Sequence, residues 1–368
     1  MDAEDIRYMK LAMIEAKKGV GRTSPNPPVG AVVVRDGEVV STGFHESAGE
    51  PHAEIIALKK AGERAYGATL YVTLEPCNHY GKTPPCTKAI LKAGIRKVVY
   101  SCADPVAGHC GGGLFLRESG VIVTEGILKN EGEEILRPFL SVYLKDRPYI
   151  LLKMGMTLDG KIYRTNRSGY ITSDESLHHV HELRNEFDAV MIGGRTARID
   201  NPRLDCRGVT GGRDGVKIVI DPTLKNLSPE LKLFQKGTVI VVTGDDCDKD
   251  RLSEIKSKSE CFLKFIIPNG DIFNKKNLST VMKEIATYGV SSILLEGGSY
   301  LAGQMLHHHL VDSVKFFYNS SIAGNNGTLS AVSSITGDDF SDFKIKIRAL
   351  ESYVDDFVVS GDVIYKDT

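Results

Sequence analysis

Four residues in the first quarter of the chain have the types and spacing for metal-assisted chemistry. They are His52 and Glu54 in the run His52-Ala53-Glu54, Cys77 directly after Pro76, and Cys86. One neutral imidazole and two thiolates balance the charge of Zn²⁺, and three protein ligands leave one coordination position open. An open position separates a catalytic zinc from a closed structural one, and water held there ionises near pH 7. His52 follows Pro51, Cys77 follows Pro76, and Cys86 falls in the first turn expected after Thr83-Pro84. Each ligand is therefore expected at a helix entrance, where the positive end of the helix dipole favours thiolate over thiol. Glu54 is the candidate proton shuttle. Residues two apart in a regular helix point roughly 200° apart, so His52 and Glu54 share a site only where the helix begins, a placement that Pro51 favours.

The elements that must hold these groups alternate between helix and strand. Ile6, Met9, Met13 and Ala16 recur at helical spacing, and Gly19 supplies a stop. Residues 30–34 and 38–41 flank Asp36-Gly37, a hairpin signal. A helix then runs from Pro51 to Gly62, a strand over 68–76, a helix from Thr83-Pro84 to Gly94 and a strand over 96–104. A third such unit covers 113–127, and a helix carrying Ile135, Leu136, Phe139, Leu140 and Tyr143 follows. The boundary is expected at Lys145-Asp146-Arg147-Pro148, giving domains 1–146 and 147–368. From Tyr149 the alternation restarts. Strands are expected at YILLKMGM, DAVMIGG, KIVIDP, TVIVVTG, CFLKFII, SSILLEGG, VKFFYNSS and DFVVSGDVIYK, with a turn at Asp159-Gly160. The fold class is α/β in both halves.

Two places in the second half repeat one arrangement, a buried strand, a glycine pair and a helix: Gly193-Gly194 and Gly297-Gly298. Glycines there allow phosphates a close approach, and Ser299 suits the helix start. Neither is the GxGxxG fingerprint of a dinucleotide-binding Rossmann unit.

The generic zinc deaminase signature is His-x-Glu followed by Pro-Cys-x-x-Cys. This chain departs from it, with eight residues, NHYGKTPP, between Cys77 and Cys86. SPNPPVGAVVV, GEPHAE, TLEPCNHYGKTPPC and, later, TLDGKI, YITS, DNPRL and LEGG resemble the bifunctional riboflavin-biosynthesis deaminase/reductase family, in which the long interval is typical. The resemblance implies a cytidine-deaminase-like αβα domain followed by a dihydrofolate-reductase-like α/β domain. It implies zinc-dependent removal of the 2-amino group from 2,5-diamino-6-ribosylamino-4(3H)-pyrimidinone 5′-phosphate, then reduction of the ribosyl group by NADPH. Lys82, Thr83 and the amides opening the next helix suit the phosphate, and the Asn26 amide suits a pyrimidinone edge. His45 and His79 are further substrate contacts by resemblance. In the second half, Gly155, Tyr170, Thr196, Asp200 and the segment Gly298, Ser299, Tyr300, Leu301, Ala302, Gly303 and Gln304 would contact NADPH. Ser168, Arg184, Leu204, Arg207 and Glu296 would contact the phosphoribosylamino substrate, with Arg184 and Arg207 as phosphate partners. Tyr170 stands where family members often carry Trp, and its flat ring keeps a stacking face.

Composition narrows the partners. Forty-six basic and 47 acidic residues give a net charge of −1, so no global positive field draws a nucleic-acid backbone. That weighs against the competing reading, a tRNA or nucleotide zinc deaminase with an accessory α/β domain. No apolar run approaches the roughly 20 residues of a membrane span, and the polar start MDAEDIRYMK is unlike a signal peptide. The chain is expected in the cytoplasm, where seven cysteines, an odd number, point to ligation or catalysis before disulfides. The expected partners are the small phosphoribosylated pyrimidine and further copies of the same chain, with neither nucleic acid nor membrane.

Overall fold

A computed structural model describes residues 2–80, 84–106, 108–164, 169–333 and 343–366. The chain divides into two compact units, Met1–Asp146 and Arg147–Thr368. In the first, the elements run α1 (Ala3–Lys17), β1 (Gly30–Arg35), β2 (Glu38–Phe44), α2 (Ala53–Ala61), β3 (Thr69–Leu74), α3 (Cys86–Lys92), β4 (Lys97–Cys102), α4 (Gly112–Glu118), β5 (Ile122–Glu125) and α5 (Lys129–Lys145). The sheet order is β2-β1-β3-β4-β5. β1 is antiparallel to β2 and β3, and β3, β4 and β5 are parallel. Strand alternation sends successive side chains to opposite faces. Ala31 and Val33 meet Ala53 and Ala57 of α2 and Ile90 of α3 in one core, while Val32 and Val34 meet Tyr8, Met9 and Ala12 of α1 in the other. The result is an αβα sandwich. Because β3 and β4 run in parallel, the segments after Leu74 and Cys102 open at the same edge, where open α/β sheets place ligands.

The second unit runs β6 (Tyr149–Thr157), β7 (Lys161–Arg164), α6 (Asp174–Glu186), β8 (Ala189–Gly193), α7 (Gly194–Asp200), β9 (Val216–Ile220), β10 (Thr238–Val242), α8 (Lys249–Lys258), β11 (Phe262–Ile266), α9 (Lys275–Thr287), β12 (Ser292–Leu295), α10 (Ser299–His307), β13 (Ser313–Asn319), β14 (Thr328–Ser330), β15 (Phe343–Ser352) and β16 (Asp356–Tyr365). Nine strands form a sheet in the order β11-β10-β9-β8-β12-β6-β13-β16-β15. The first seven are parallel, and β16 and β15 add an antiparallel hairpin. Met191, Ile218 and Ile240 pack under α9 and α10 on one face, and Val190, Val219 and Val239 pack against Ala197 of α7 and Ile255 of α8 on the other. Central strands buried on both faces explain the nearly continuous apolar runs in the sequence.

Two expectations shift. The helix expected from Thr83-Pro84 begins at Cys86, with Pro85 as its N-cap, and Thr83 lies outside the described residues. α8, β7, β14 and β15 were not anticipated. α8 buries only Ile255, so it lacks an apolar stripe, whereas β15 alternates Phe343, Ile345 and Ile347 with Lys344, Lys346 and Arg348 and packs Phe343 and Ile345 against the core, a period-2 signal that the expected strands passed over.

Candidate functional site

The start of α2 removes the angular conflict between His52 and Glu54. His52 is the N-cap, with φ −67° and ψ 158°, so its ring leaves the chain before helical spacing begins. Glu54 lies in the first turn and is buried. Cys77, expected at a helix entrance of its own, lies in the extended segment after β3. Its sulfur instead accepts the N–H of Cys86, the first residue of α3, at 3.4 Å, so one helix terminus serves both thiols. His52 Nδ1 is 3.2 Å from Cys86 Sγ and 3.6 Å from Cys77 Sγ, and the three donor atoms lie within 4.8 Å of one another. Tetrahedral bonds of about 2.0–2.1 Å to nitrogen and about 2.3 Å to sulfur separate donors by roughly 3.5–3.8 Å, so the cluster fits zinc. The hydrogen bond with Cys86 pulls the Cys77 thiol down to about 4 against burial, with His52 and the Cys86 amide helping. The same bond and burial push Cys86 well up. The pair therefore holds one negative charge, and its second proton leaves when a cation binds. Cys77 raises His52 to about 8. Burial pushes Glu54 up, opposed by His52, the direction that suits a carboxyl which takes and returns a proton.

His52, Glu54 and Cys77 line an open cavity of about 130 Å³, also lined by Asn26, His45 and His79, while Cys86 is buried. Asn26 Nδ2 donates to His45 Nε2, and His45 Nδ1 donates to the Pro51 carbonyl, both at 3.1 Å. Burial lowers the His45 pKa, against the hydrogen bond to the Pro51 carbonyl. With both ring nitrogens engaged, His45 orients Asn26, whose carbonyl oxygen and second N–H stay available for a ring edge. Lys82 and Thr83 lie outside the described residues. The cavity is also lined by Glu75, which lies within the TLEPCNHYGKTPPC run but was assigned no role, and by Asp104, His109, Phe139 and Tyr143, which no motif marked. The signal for Glu75 and Asp104 was positional, since they follow the carboxyl ends of adjacent parallel strands.

In the second unit the two glycine pairs meet. The Gly193 N–H donates to the Gly297 carbonyl at 3.0 Å and the Glu296 N–H to the Met191 carbonyl at 2.9 Å. α7 and α10 therefore begin side by side, and a Cβ on Gly298 would sit 2.9 Å from Thr196 Oγ1. Thr196 and Asp200 are four apart on one face of α7. Ser299, expected to cap this helix, is instead its first residue, with Gly298 as the N-cap, and its buried hydroxyl has no hydrogen-bond partner. Leu301, Ala302, Gly303 and Gln304 are buried in α10, so what reaches a ligand at this helix mouth is first-turn backbone N–H. Tyr300 is half-exposed, Tyr170 is 73% exposed, and Gly155 on β6 lies beside Thr172.

Arg184 and Glu296 come together as a pair. Arg184 Nε and Nη2 donate to the two Glu296 carboxylate oxygens at 2.6 and 2.8 Å, and Nη1 donates to the Asp205 carbonyl at 3.2 Å. The guanidinium expected to meet a phosphate is thus filled by a carboxylate. Burial pushes Glu296 up, yet the Arg184 charge and hydrogen bonds prevail and hold it at about 2. Arg207 Nη1 donates to Asp205 Oδ1 at 2.8 Å with about half of its side chain exposed, so it keeps a face for an anion. Leu204, at φ 54°, is buried and turns the chain toward this cluster. Ser168 lies outside the described residues. Lys153 of β6 was not marked. Burial lowers its pKa while Glu296 opposes, and the available signal was a lone charge inside an apolar strand.

Residues 148–359 match the RibD C-terminal domain, and residues 2–102 match the cytidine and deoxycytidylate deaminase zinc-binding region. The riboflavin biosynthesis protein RibD of Aquifex aeolicus is 39% identical over 96% of this chain and 97% of its own. That of Escherichia coli is 34% identical over 88% of this chain and 89% of its own. The crystal structure of a diaminohydroxyphosphoribosylaminopyrimidine deaminase/5-amino-6-(5-phosphoribosylamino)uracil reductase from Thermotoga maritima has a TM-score of 0.83 at 34% identity and covers 98% of both chains. The chain belongs to the RibD family. As in RibD, a cytidine-deaminase domain precedes a dihydrofolate-reductase-like reductase domain, and the chain is a bifunctional deaminase and reductase. Zinc and NADPH are the cofactors of this chain. The donor set of His52, Cys77 and Cys86 fits the first, and the unpartnered Ser299 hydroxyl at the mouth of α10 fits an anionic diphosphate of the second. Among the described residues, no helix is long and apolar enough to cross a membrane.

Proposed function

We propose that the first unit hydrolyses the 2-amino group of 2,5-diamino-6-ribosylamino-4(3H)-pyrimidinone 5′-phosphate and that the second reduces the ribosyl group of the product, giving 5-amino-6-ribitylamino-uracil 5′-phosphate. The observation that carries this reading is the clustering of His52, Cys77 and Cys86 beside a cavity that His52, Cys77 and buried Glu54 line. His52, Cys77 and Cys86 hold zinc, which when bound supplies Lewis acidity. Glu54 removes a proton from the attacking water and returns it to the leaving nitrogen, so water enters and ammonia leaves with protons balanced. Asn26, oriented by His45, holds the pyrimidinone edge, and His79 lines the wall beside it. Lys82 and Thr83 are assigned to the phosphate by their place in the interval between the cysteines.

In the second unit Thr196, Asp200, Gly298, Ser299 and the first-turn backbone of α10 bind NADPH, with Gly155, Tyr170 and Tyr300 along its length. NADPH when bound supplies the hydride. Arg207, with Leu204 and Ser168, takes the phosphoribosyl end, and the Arg184–Glu296 pair fixes the floor beneath it. We place the chain in the cytoplasm, a reading supported by seven free cysteines, and expect it to assemble as a homo-oligomer, to be checked by light scattering. The decisive experiment is Glu54→Gln. Ammonia release should fall by at least about 100-fold, while zinc content and NADPH oxidation with the deaminated intermediate are retained. Ammonia release unchanged in that variant would contradict the assigned shuttle.

A further inference from the structure

The wall of the first unit's cavity carries a ring pair. His79, from the segment between the two cysteine ligands, and His109, from the segment between β4 and α4, stack with centroids 3.9 Å apart and planes 10° apart. Both rings line the cavity that Glu54 faces. The stretch bearing His109 is fastened at both ends to one buried carboxylate. Glu75 Oε2 accepts the Asp104 N–H at 3.2 Å, and Glu75 Oε1 accepts the N–H groups of Gly111 and Gly113 at 3.1 and 2.8 Å. Between these ends, Asp104 Oδ1 accepts the Val106 N–H and the Val106 carbonyl accepts the His109 N–H, both at 2.9 Å. Glu75 is two residues before Cys77, so the fastening ties His109 to the chain that leads into His79. His79 Nδ1 is buried with no hydrogen-bond partner, so the ring is held through its face.

We propose that His109 is a positioning residue for the deamination: its ring clamps His79 against the cavity wall and presents the His79 edge to the phosphoribosylated pyrimidine. This rests on the deaminase reading of the first unit. His109 acts through His79 and touches no reacting atom. A side chain ordered before binding costs the complex less entropy, and a stacked ring pair is worth about two- to tenfold in affinity.

The test is KM and kcat for ammonia release from the phosphoribosylated diaminopyrimidinone, using full-length zinc-loaded wild type, H109A, H109F, H79A and H79A/H109A. H109A should raise KM about two- to tenfold with kcat and zinc content unchanged, and H109F, which keeps a flat ring, should restore KM. The double variant should match H79A, because His109 then has nothing to hold. A wild-type KM in H109A, an H109F as weak as H109A, or effects that multiply in the double variant would overturn the clamp while leaving the deaminase reading intact. A wild-type chain that releases no ammonia would overturn that reading and the clamp together.

Discussion

The Arg184–Glu296 pair shows what a buried charge demands of its surroundings. Both side chains are nearly out of water, at 12% and 9% exposed, and such a pair persists because each charge answers the other. Glu296→Gln removes one charge and strands the guanidinium, which should cost about 3–5 kcal/mol in the second unit's unfolding transition, measured by urea denaturation. The pH dependence follows from the direction of the shift. The folded carboxyl lies at about 2, below its ordinary 4.5. Its contribution is therefore complete above pH 4.5 and is lost as pH falls through about 2. Wild-type stability should decline across that window, whereas the Gln variant should lack this component, and parallel pH profiles for the two proteins would show that the pair does not titrate as described. At this scale the metal set was legible from sequence because imidazole, thiol and carboxyl at those spacings have few other common uses. The Arg184–Glu296 pairing was not, since 112 residues separate its members and only the sheet order brings them together.

At the scale of elements, the site depends on how tightly α4 approaches the end of β3. A Cβ on Gly112 would lie 1.8 Å from the Pro76 carbonyl oxygen, and backbone cannot yield there as a flexible side chain can. Gly112→Ala should displace Pro76 and with it Cys77, giving a destabilisation of about 1–3 kcal/mol and less than stoichiometric zinc by metal analysis. NADPH oxidation by the same variant should be unaffected, and full zinc content would show that the contact does not set the cysteine's position. Element types were readable from two signals: periodicity gave α1 and turn chemistry the Asp36-Gly37 hairpin, while β3, β4 and the parallel core of the second unit, buried on both faces, stand out as continuous apolar runs. Cys77 was misplaced because Pro before a residue marks a helix start and an extended segment equally well. α8 escaped notice because an exposed, charged helix carries no apolar period, whereas β15 does carry one, Phe343, Ile345 and Ile347 alternating with Lys344, Lys346 and Arg348, and was overlooked.

For the whole molecule, the question is whether two activities need one chain. The first unit closes its own five-stranded sheet and two cores, and the second closes a nine-stranded sheet with three. Among the described residues, each of these sheets and buried clusters is built from one unit's own residues. A unit with a complete sheet and core folds independently, so residues 1–146 and 147–368 expressed separately should each give a cooperative unfolding transition. The first should bind zinc and release ammonia from the phosphoribosylated diaminopyrimidinone without nucleotide cofactor. The second should oxidise NADPH when given the deaminated intermediate, and mixing the two should restore the full conversion. Intermediate would then pass through solution, so adding a scavenger for it should slow the mixture. A first fragment that folds and binds zinc yet releases no ammonia would mean that the hydrolytic site draws on residues beyond Asp146, and the division of labour argued from the two sheets would be wrong.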